Sequence, residues 1–412
     1  MSDPLTSTSL HQRFVLWRPV IGVAAVQGTF TITWVIYRLY LADLLVQFGF
    51  PKEFAVTVLF VDTLLGMVGE PVMGTLSDRT KQWLGTQFPL ISIGAIVSSA
   101  LFIAIPTIAI LGNFTGAVRW ILPGAMMAWA FAMTIVRSPA ISLLGQYASA
   151  SALPKAASVV TLVGGIAVAT APTSSQWWLA LGPGFAFALG SIAFLAAVAV
   201  LRALHPQGLP NPPSPDRSNR PGLSSLGASI ARSIFIFATG IGLGFGFRFL
   251  FSTLARAIAQ QLSETSVSPV LLGFGIIAAV AALPLGRLAS RWETHRGLLV
   301  GALSTAVLLL GVGFVPRLTV LALVGLILAF SLVNNGGVPF VLGVVPPQQA
   351  GFGVGLYFGG FGAAFNLFGN IFGSLEDATL GTLGLMGALS FLGAGICVVL
   401  GSRLFAADRQ MG

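Results

Sequence analysis

The stretch Val68-Gly69-Glu70-Pro71-Val72-Met73-Gly74-Thr75-Leu76-Ser77-Asp78-Arg79-Thr80-Lys81 opens as an apolar helix carrying one carboxylate and reads as ending in a short charged loop. A carboxylate is costly to bury in lipid, so one inside a membrane segment is a functional candidate by default. Glu70 stands eight residues before Asp78. That is ~12 Å along a helix rising 1.5 Å per residue, which puts it within the hydrocarbon slab.

The surrounding chain makes that membrane setting necessary. Of 412 residues, 55% are hydrophobic and 8% are charged, with a mean hydropathy of +0.91. A soluble domain carries about 25% charged residues, so this composition implies a polytopic, all-α membrane protein. The formal charge of +9 does not point to nucleic acid, because the basic residues are scattered singly at helix ends. The single cysteine, Cys397, lies in the last apolar run, with no partner for a disulfide and no neighbours for a metal. His11, His205 and His295 fall in polar loops, which argues against a histidine proton relay. No nucleotide loop, metal cluster or catalytic triad is found, so neither an enzyme nor a cofactor is expected.

Apolar runs long enough to cross ~30 Å occur at residues 18–47, 54–77, 88–110, 117–138, 156–174, 182–203, 228–252, 267–289, 297–315, 318–336, 351–374 and 380–404. They predict twelve transmembrane helices. The Pro- and Ser-rich stretch 205–226 reads as a flexible linker. It divides the chain into an N-terminal six-helix bundle, 1–204, and a C-terminal one, 227–412. The first apolar run is too long for a signal-peptide core and reads as a retained helix. With the N-terminus inside, fifteen of the 21 Lys and Arg residues fall on the inner side, which predicts both termini and the linker in the cytoplasm.

The halves echo each other. G-x-L-x-x-R recurs at Gly74–Arg79 and at Gly286–Arg291, after the second and eighth helices. Arg137-Ser138-Pro139 after the fourth helix has a counterpart in Gly337-Val338-Pro339 after the tenth. Two parallel six-helix repeats are the architecture of carriers that rock around a central site.

Gly74-Thr75-Leu76-Ser77-Asp78-Arg79-Thr80 resembles the signature loop of the major facilitator superfamily. The longer run from Glu70-Pro71, continuing to Gly85 and Pro89, is similar to the sugar–cation symporter branch (the melibiose carrier type) and its sucrose/SLC45-like relatives. Arg137-Ser138-Pro139-Ala140-Ile141-Ser142-Leu143-Leu144 resembles a stretch ending the fourth helix in the bacterial members of that branch. Three features depart from the pattern. Gly145-Gln146 replaces an acid, Gly85-Thr86-Gln87-Phe88 lacks the basic run, and Gly66 stands where the melibiose type has a second acid. The resemblance implies that Gly74, Asp78 and Arg79, with Arg137 and Arg291, form a cytoplasmic gate network that latches the inward side.

Several residues are candidates for the cavity. Glu70 reads as a protonatable coupling site or as a structural acid bonded to a neighbouring helix. Asp62, eight residues earlier, lies roughly 80° from it around the helix, and Arg38 falls at a similar outer depth, so an Arg38–Asp62 pair is one expectation. Arg248 follows the run Gly240-Ile241-Gly242-Leu243-Gly244-Phe245-Gly246, which reads as a flexible gate or as close packing. Gly351, Gly355 and Gly359 share one face at close-packing spacing, and Asn366 and Asn370 share another.

The resulting expectation is a monomeric secondary active transporter in the plasma (inner) membrane. It would move a small polar solute by alternating access, a sugar or glycoside being favoured by the resemblance. H+ rather than Na+ is the expected motive ion, through Glu70, because isolated acids remain where paired acids are missing. The alternatives are a non-transporting membrane assembly or scaffold factor of the same fold, and an exporter of apolar metabolites.

Overall fold

Helices are the way for a single chain to satisfy its backbone while crossing lipid without closing a barrel, and a computed structural model of this chain is built from them. It describes residues 14–112, 116–206, 223–292, 295–373, 375 and 378–411. Among these are twelve helices long and apolar enough to span a membrane. The first six are α1 (Trp17–Gln47), α2 (Phe54–Leu84), α3 (Phe88–Leu111), α4 (Ile121–Ser142), α5 (Leu153–Ala169) and α6 (Ala171–Leu204). The last six are α7 (Leu223–Gln261), α8 (Val267–Ala289), α9 (Arg296–Phe314), α10 (Thr319–Val344), α11 (Ala350–Phe372) and α12 (Leu380–Met411). Most of the expected linker, residues 207–222, lies outside the described residues. Large apolar side chains such as Leu111 and Leu321 stand more than three-quarters exposed, as lipid-facing residues do in a multi-pass integral membrane protein.

The packing repeats with a shift of six helices. In the first half α1 packs on α5 and α6, α4 on α2 and α3, and α3 on α6. In the second half α7 packs on α11 and α12, α10 on α8 and α9, and α9 on α12. The halves meet along α2–α11 and α5–α8, two seams that exchange under the same shift.

Three expectations are corrected. First, Gly74–Lys81 is not a loop, because α2 continues through it to Leu84 and ends at Gly85, whose φ of +72° suits glycine. Thr75 and Thr80 bond back to the carbonyls of Pro71 and Leu76, which satisfies their hydroxyls within the helix. Second, Arg137-Ser138-Pro139 and Gly337-Val338-Pro339 lie inside α4 and α10, not after them. Third, the fifth span closes at Ala169. Residues 171–181 belong to α6, which breaks at Gly182 (φ +73°) just before Pro183.

The alternating glycines of α7 serve packing. The helix is continuous, Gly244 faces the Phe361 carbonyl of α11, and Gly242 and Gly246 face Ser390 and Phe391 of α12. A backbone pressed against neighbours on two sides is not a free hinge.

Candidate functional site

The α2–α11 seam is built on glycine. Gly351, Gly355 and Gly359 of α11 face the backbone of α2 at Gly74, Glu70 and Met67. A Cβ at Gly359 would stand 2.8 Å from the Met67 oxygen, and one at Gly351 2.6 Å from the Gly74 oxygen. The chemistry of Pro71 explains part of this approach. Proline has no N–H, so the carbonyl four residues earlier, Met67, loses its helical partner, and it turns toward the Cα of Gly359. The seam closes at the end of the molecule that carries Arg79, Lys81, Arg287 and Arg291, here termed the basic end.

Asp78 ties α2 to the start of α11 there. It is buried, and its carboxylate accepts the backbone N–H groups of Gly351 and Phe352, both at 2.9 Å. These are first-turn donors of α11, which have no intrahelical acceptor. A carboxylate there gains both hydrogen bonds and the helix dipole. Gly74 forms the contact, and Arg79 is exposed beside it. Below them Ser77 bonds Gln87, and the Gln87 amide donates to the Pro139 carbonyl and to Ser142, tying the α2–α3 turn to the end of α4.

Glu70 lies deeper, 5% exposed, and accepts a hydrogen bond from Ser138 of α4. Arg137 stands 3.9 Å from its other carboxylate oxygen. The structure thus places Arg137 beside Glu70 and not in the basic-end network with Asp78. The guanidinium stacks over Phe30 of α1 at 5.0 Å and over Phe358 of α11 at 3.8 Å. The ion pair therefore touches both halves of the protein through one aromatic ring from each.

A second polar cluster lies two turns farther along α2. Tyr37 donates to Asp62 at 2.7 Å. Arg38 does not pair with Asp62. Its guanidinium donates to Asn366 of α11 at 2.6 Å and lies over Trp34. Arg248 of α7 stacks over Phe365 and Phe368, at 5.3 and 4.9 Å, on either side of Asn366 in sequence. Arg38 is close enough to feel Asp62 electrostatically and, to a smaller extent, Arg248. Among the described residues neither arginine has a carboxylate within 4.0 Å, and Arg248 Nε is buried without a partner. The side chain of Asn370 lies outside the described residues. Arg291 is remote from both clusters, exposed at the basic end beside Lys155 and Arg287.

Sequence reasoning missed Tyr37, Ser138, Gln87 and the two rings that hold Arg137. A usable signal was the rarity of tyrosine. The chain has four, Tyr37, Tyr40, Tyr147 and Tyr357, and all four are buried. A buried phenol seeks a partner, and three find one, in Asp62, the Trp178 carbonyl and His205. Among the described residues there is no cluster of His, Cys, Asp and Glu arranged to hold a metal.

No family model and no curated protein matches the sequence. Solved structures do. A bacterial homologue of the iron transporter ferroportin, in an outward-facing state, aligns with a TM-score of 0.67 at 13% identity, covering 94% of this chain and 100% of its own. The human organic anion transporter MFSD10 (TETRAN) aligns at 0.65 and 15% identity, covering 92% and 99%. The transporter FucP, in its outward conformation, aligns at 0.65 and 13%, covering 93% and 98%. The chain is an all-helical, multi-pass membrane protein with the fold of the major facilitator superfamily.

Proposed function

We propose that this protein is a secondary active carrier of a small anionic solute, working by alternating access and driven by H+ through Glu70. The observation that carries the substrate class is the convergence of Arg38 and Arg248 on α11 without a paired carboxylate. Two guanidiniums in one intramembrane space, with no carboxylate in direct contact and only Asp62 acting on Arg38 from farther off, favour a negatively charged ligand, and their planar forks suit a carboxylate or phosphate. Asn366, already held by Arg38, adds a neutral polar contact. Of the structurally similar proteins, MFSD10 is described as an organic anion transporter and XylE as a proton:xylose symporter. The unpaired arginines favour the former class for this chain over the sugar suggested by the signature motif.

The coupling follows from the setting of Glu70. While the basic end is closed, Phe358 of α11 covers Arg137, and Arg137 and Ser138 enclose the Glu70 carboxyl. Opening at that end withdraws Phe358 with α11 and admits water, so a proton on Glu70 exchanges with the basic side. That side is taken as the cytoplasm, with both termini there.

The test is ligand-induced thermal stabilisation of the purified protein by small carboxylates and phosphates, against neutral sugars. Anions are expected to raise Tm in the native protein and to lose that effect in Arg248→Gln. A neutral sugar that stabilises both equally would overturn the anionic reading. The bonding of Asp62 and Glu70 to neighbouring helices favours a second reading, a non-transporting scaffold. A pH gradient that drives anion accumulation in proteoliposomes, lost in Glu70→Gln while exchange persists, separates the two.

A further inference from the structure

At the basic end of the α5–α8 seam a cavity of about 210 Å³ is lined by Val15, Ala152, Lys155, Arg287, Ser290 and Arg291. It shares no residue with the Arg38–Arg248 cluster, and the carrier mechanism above does not use it. Three of its six lining residues are cationic. Among the described residues none of these three has a carboxylate within 4.0 Å. Lys155 rests over the ring of Trp17 at 5.1 Å, which holds its ammonium at the cavity without neutralising it.

Two further features raise the positive potential. Ala152 is the N-cap of α5, a 17-residue helix, and no side chain caps that end. Leu153 N–H is taken up by the Ser149 carbonyl and Pro154 has none, so the remaining N-terminal partial charge of α5 lies at the cavity. Gly286 of α8 packs against Ser158 and the Pro154 carbonyl of α5, so the backbones close tightly beside the cavity. Lys155 from the first half is thereby held beside Arg287 and Arg291 from the second, where like charges repel. The C-terminal carbonyls of α8 offset part of this charge. At ~30 Å³ per water, the space holds about seven waters, room enough for one hydrated anionic group.

We propose that this cavity binds a phosphate group that bridges Lys155 of α5 to Arg287 and Arg291 of α8. Basic pockets between transmembrane helices on the cytoplasmic side recognise phosphorylated head groups. The same chemistry serves a free phosphate or a phospholipid head group. Bridging the seam removes the repulsion across it, so occupancy holds the basic end closed. That conformational consequence rests on the carrier reading, but binding does not.

The experiment uses the full-length protein in two arms. In neutral detergent, inorganic pyrophosphate is titrated while thermal unfolding is followed, with chloride at matched ionic strength as control. In nanodiscs, native mass spectrometry compares retention of phosphatidylglycerol with phosphatidylcholine. The expected result is a rise in Tm of about 2–4 °C with pyrophosphate, or selective retention of phosphatidylglycerol. The first alone assigns a soluble anion and the second alone a lipid. Either effect should fall at least ~10-fold in affinity in Arg291→Gln, an exposed position whose change leaves the fold intact. Lys155→Gln tests the other side of the bridge. Absence of both effects, or effects in Arg291→Gln and Lys155→Gln as large as in the native protein, would overturn the proposal. Loss of pyrophosphate binding in Arg248→Gln with retention in Arg291→Gln would assign the anion to the central cluster instead.

Discussion

Replacing Asp78 by Ala removes two charge-assisted hydrogen bonds to the first turn of α11, each 2.9 Å long. Bonds to a charged group are worth about 1.5–3 kcal/mol each, and an anion at a helix N-terminus adds ~0.3–1 kcal/mol. The two bonds share one carboxylate and are not additive, so about 3 kcal/mol is the appropriate scale. The loss falls on one conformation. With the basic end open, Asp78 is hydrated and the α11 donors face water, so the substitution costs little there. A conformational equilibrium shifts by the differential alone. About 3 kcal/mol corresponds to a roughly 100-fold change in the ratio of closed to open. Asp78→Asn keeps one acceptor and loses the charge, so about half the free energy, or ~10-fold, is expected. The assay is a spin-label distance measurement between Trp83 of α2 and Leu288 of α8, both exposed at the basic end of opposite halves, with Cys397 first changed to Ser. The native protein should give one short population, Asp78→Asn a mixture and Asp78→Ala a predominantly long one. Identical distributions in all three would refute the latch. A shift in Ala but none in Asn would assign the effect to the hydrogen bonds and not the charge.

Gly359→Leu should produce the same long population, because its Cβ would meet the Met67 carbonyl at 2.8 Å, whereas Gly362→Leu, with open space around it, should not. Equal behaviour of the two would show that the glycine seam does not set closure. Glu70→Gln leaves the Arg137 guanidinium uncompensated, its side chain 19% exposed, at a cost of about 3 kcal/mol in thermal unfolding. Glu70→Gln combined with Arg137→Gln should recover part of that loss, and strict additivity of the two would mean the side chains do not interact. His205 follows α6 with its ring bonded to Tyr147 and against Phe88. Burial, then the nearby Lys81, lowers its pKa from the ordinary 6.5. The neutral ring therefore contributes stability that is complete above pH 6.5 and is lost as pH falls through the lowered value. Between pH 8 and 5 the native Tm should fall more steeply than that of His205→Gln, and parallel curves would exclude this linkage.

Repeats and spans were legible because they rest on features that need no third dimension. Gly74–Arg79 and Gly286–Arg291 lie toward the basic ends of α2 and α8, although α2 runs on to Leu84 and α8 stops at Ala289, and a 20-residue apolar run has one fate in lipid. Residues whose meaning depends on a partner helix were not legible. Asp78 looked like loop charge because nothing along α2 reveals that α11 begins against it. Arg137 looked like a basic-end residue because its rings, Phe30 and Phe358, come from 107 residues before and 221 after. The Arg38–Asp62 pairing failed for the same reason. Tyr37, one residue away, reaches Asp62, while Arg38 points across the seam to Asn366, 328 residues distant.

The two halves also show what kind of difference matters at Glu70. Glu70 of α2, reached by Ser138 of α4, aligns with Ala282 of α8, which is reached by Asn335 of α10, one turn before Val338, the residue that aligns with Ser138. Both contacts join the same pair of helices within their half. In the second half the acceptor is the Ala282 carbonyl, at 2.7 Å, a group that cannot titrate. In the first it is a carboxylate, with an arginine beside it. The helix-to-helix tie is thus supplied in both halves by a polar residue, so packing alone does not require an acid. A carboxylate at the position where its counterpart manages with a backbone oxygen adds a charge that can be gained and lost, and that is the property the proposed coupling role of Glu70 requires.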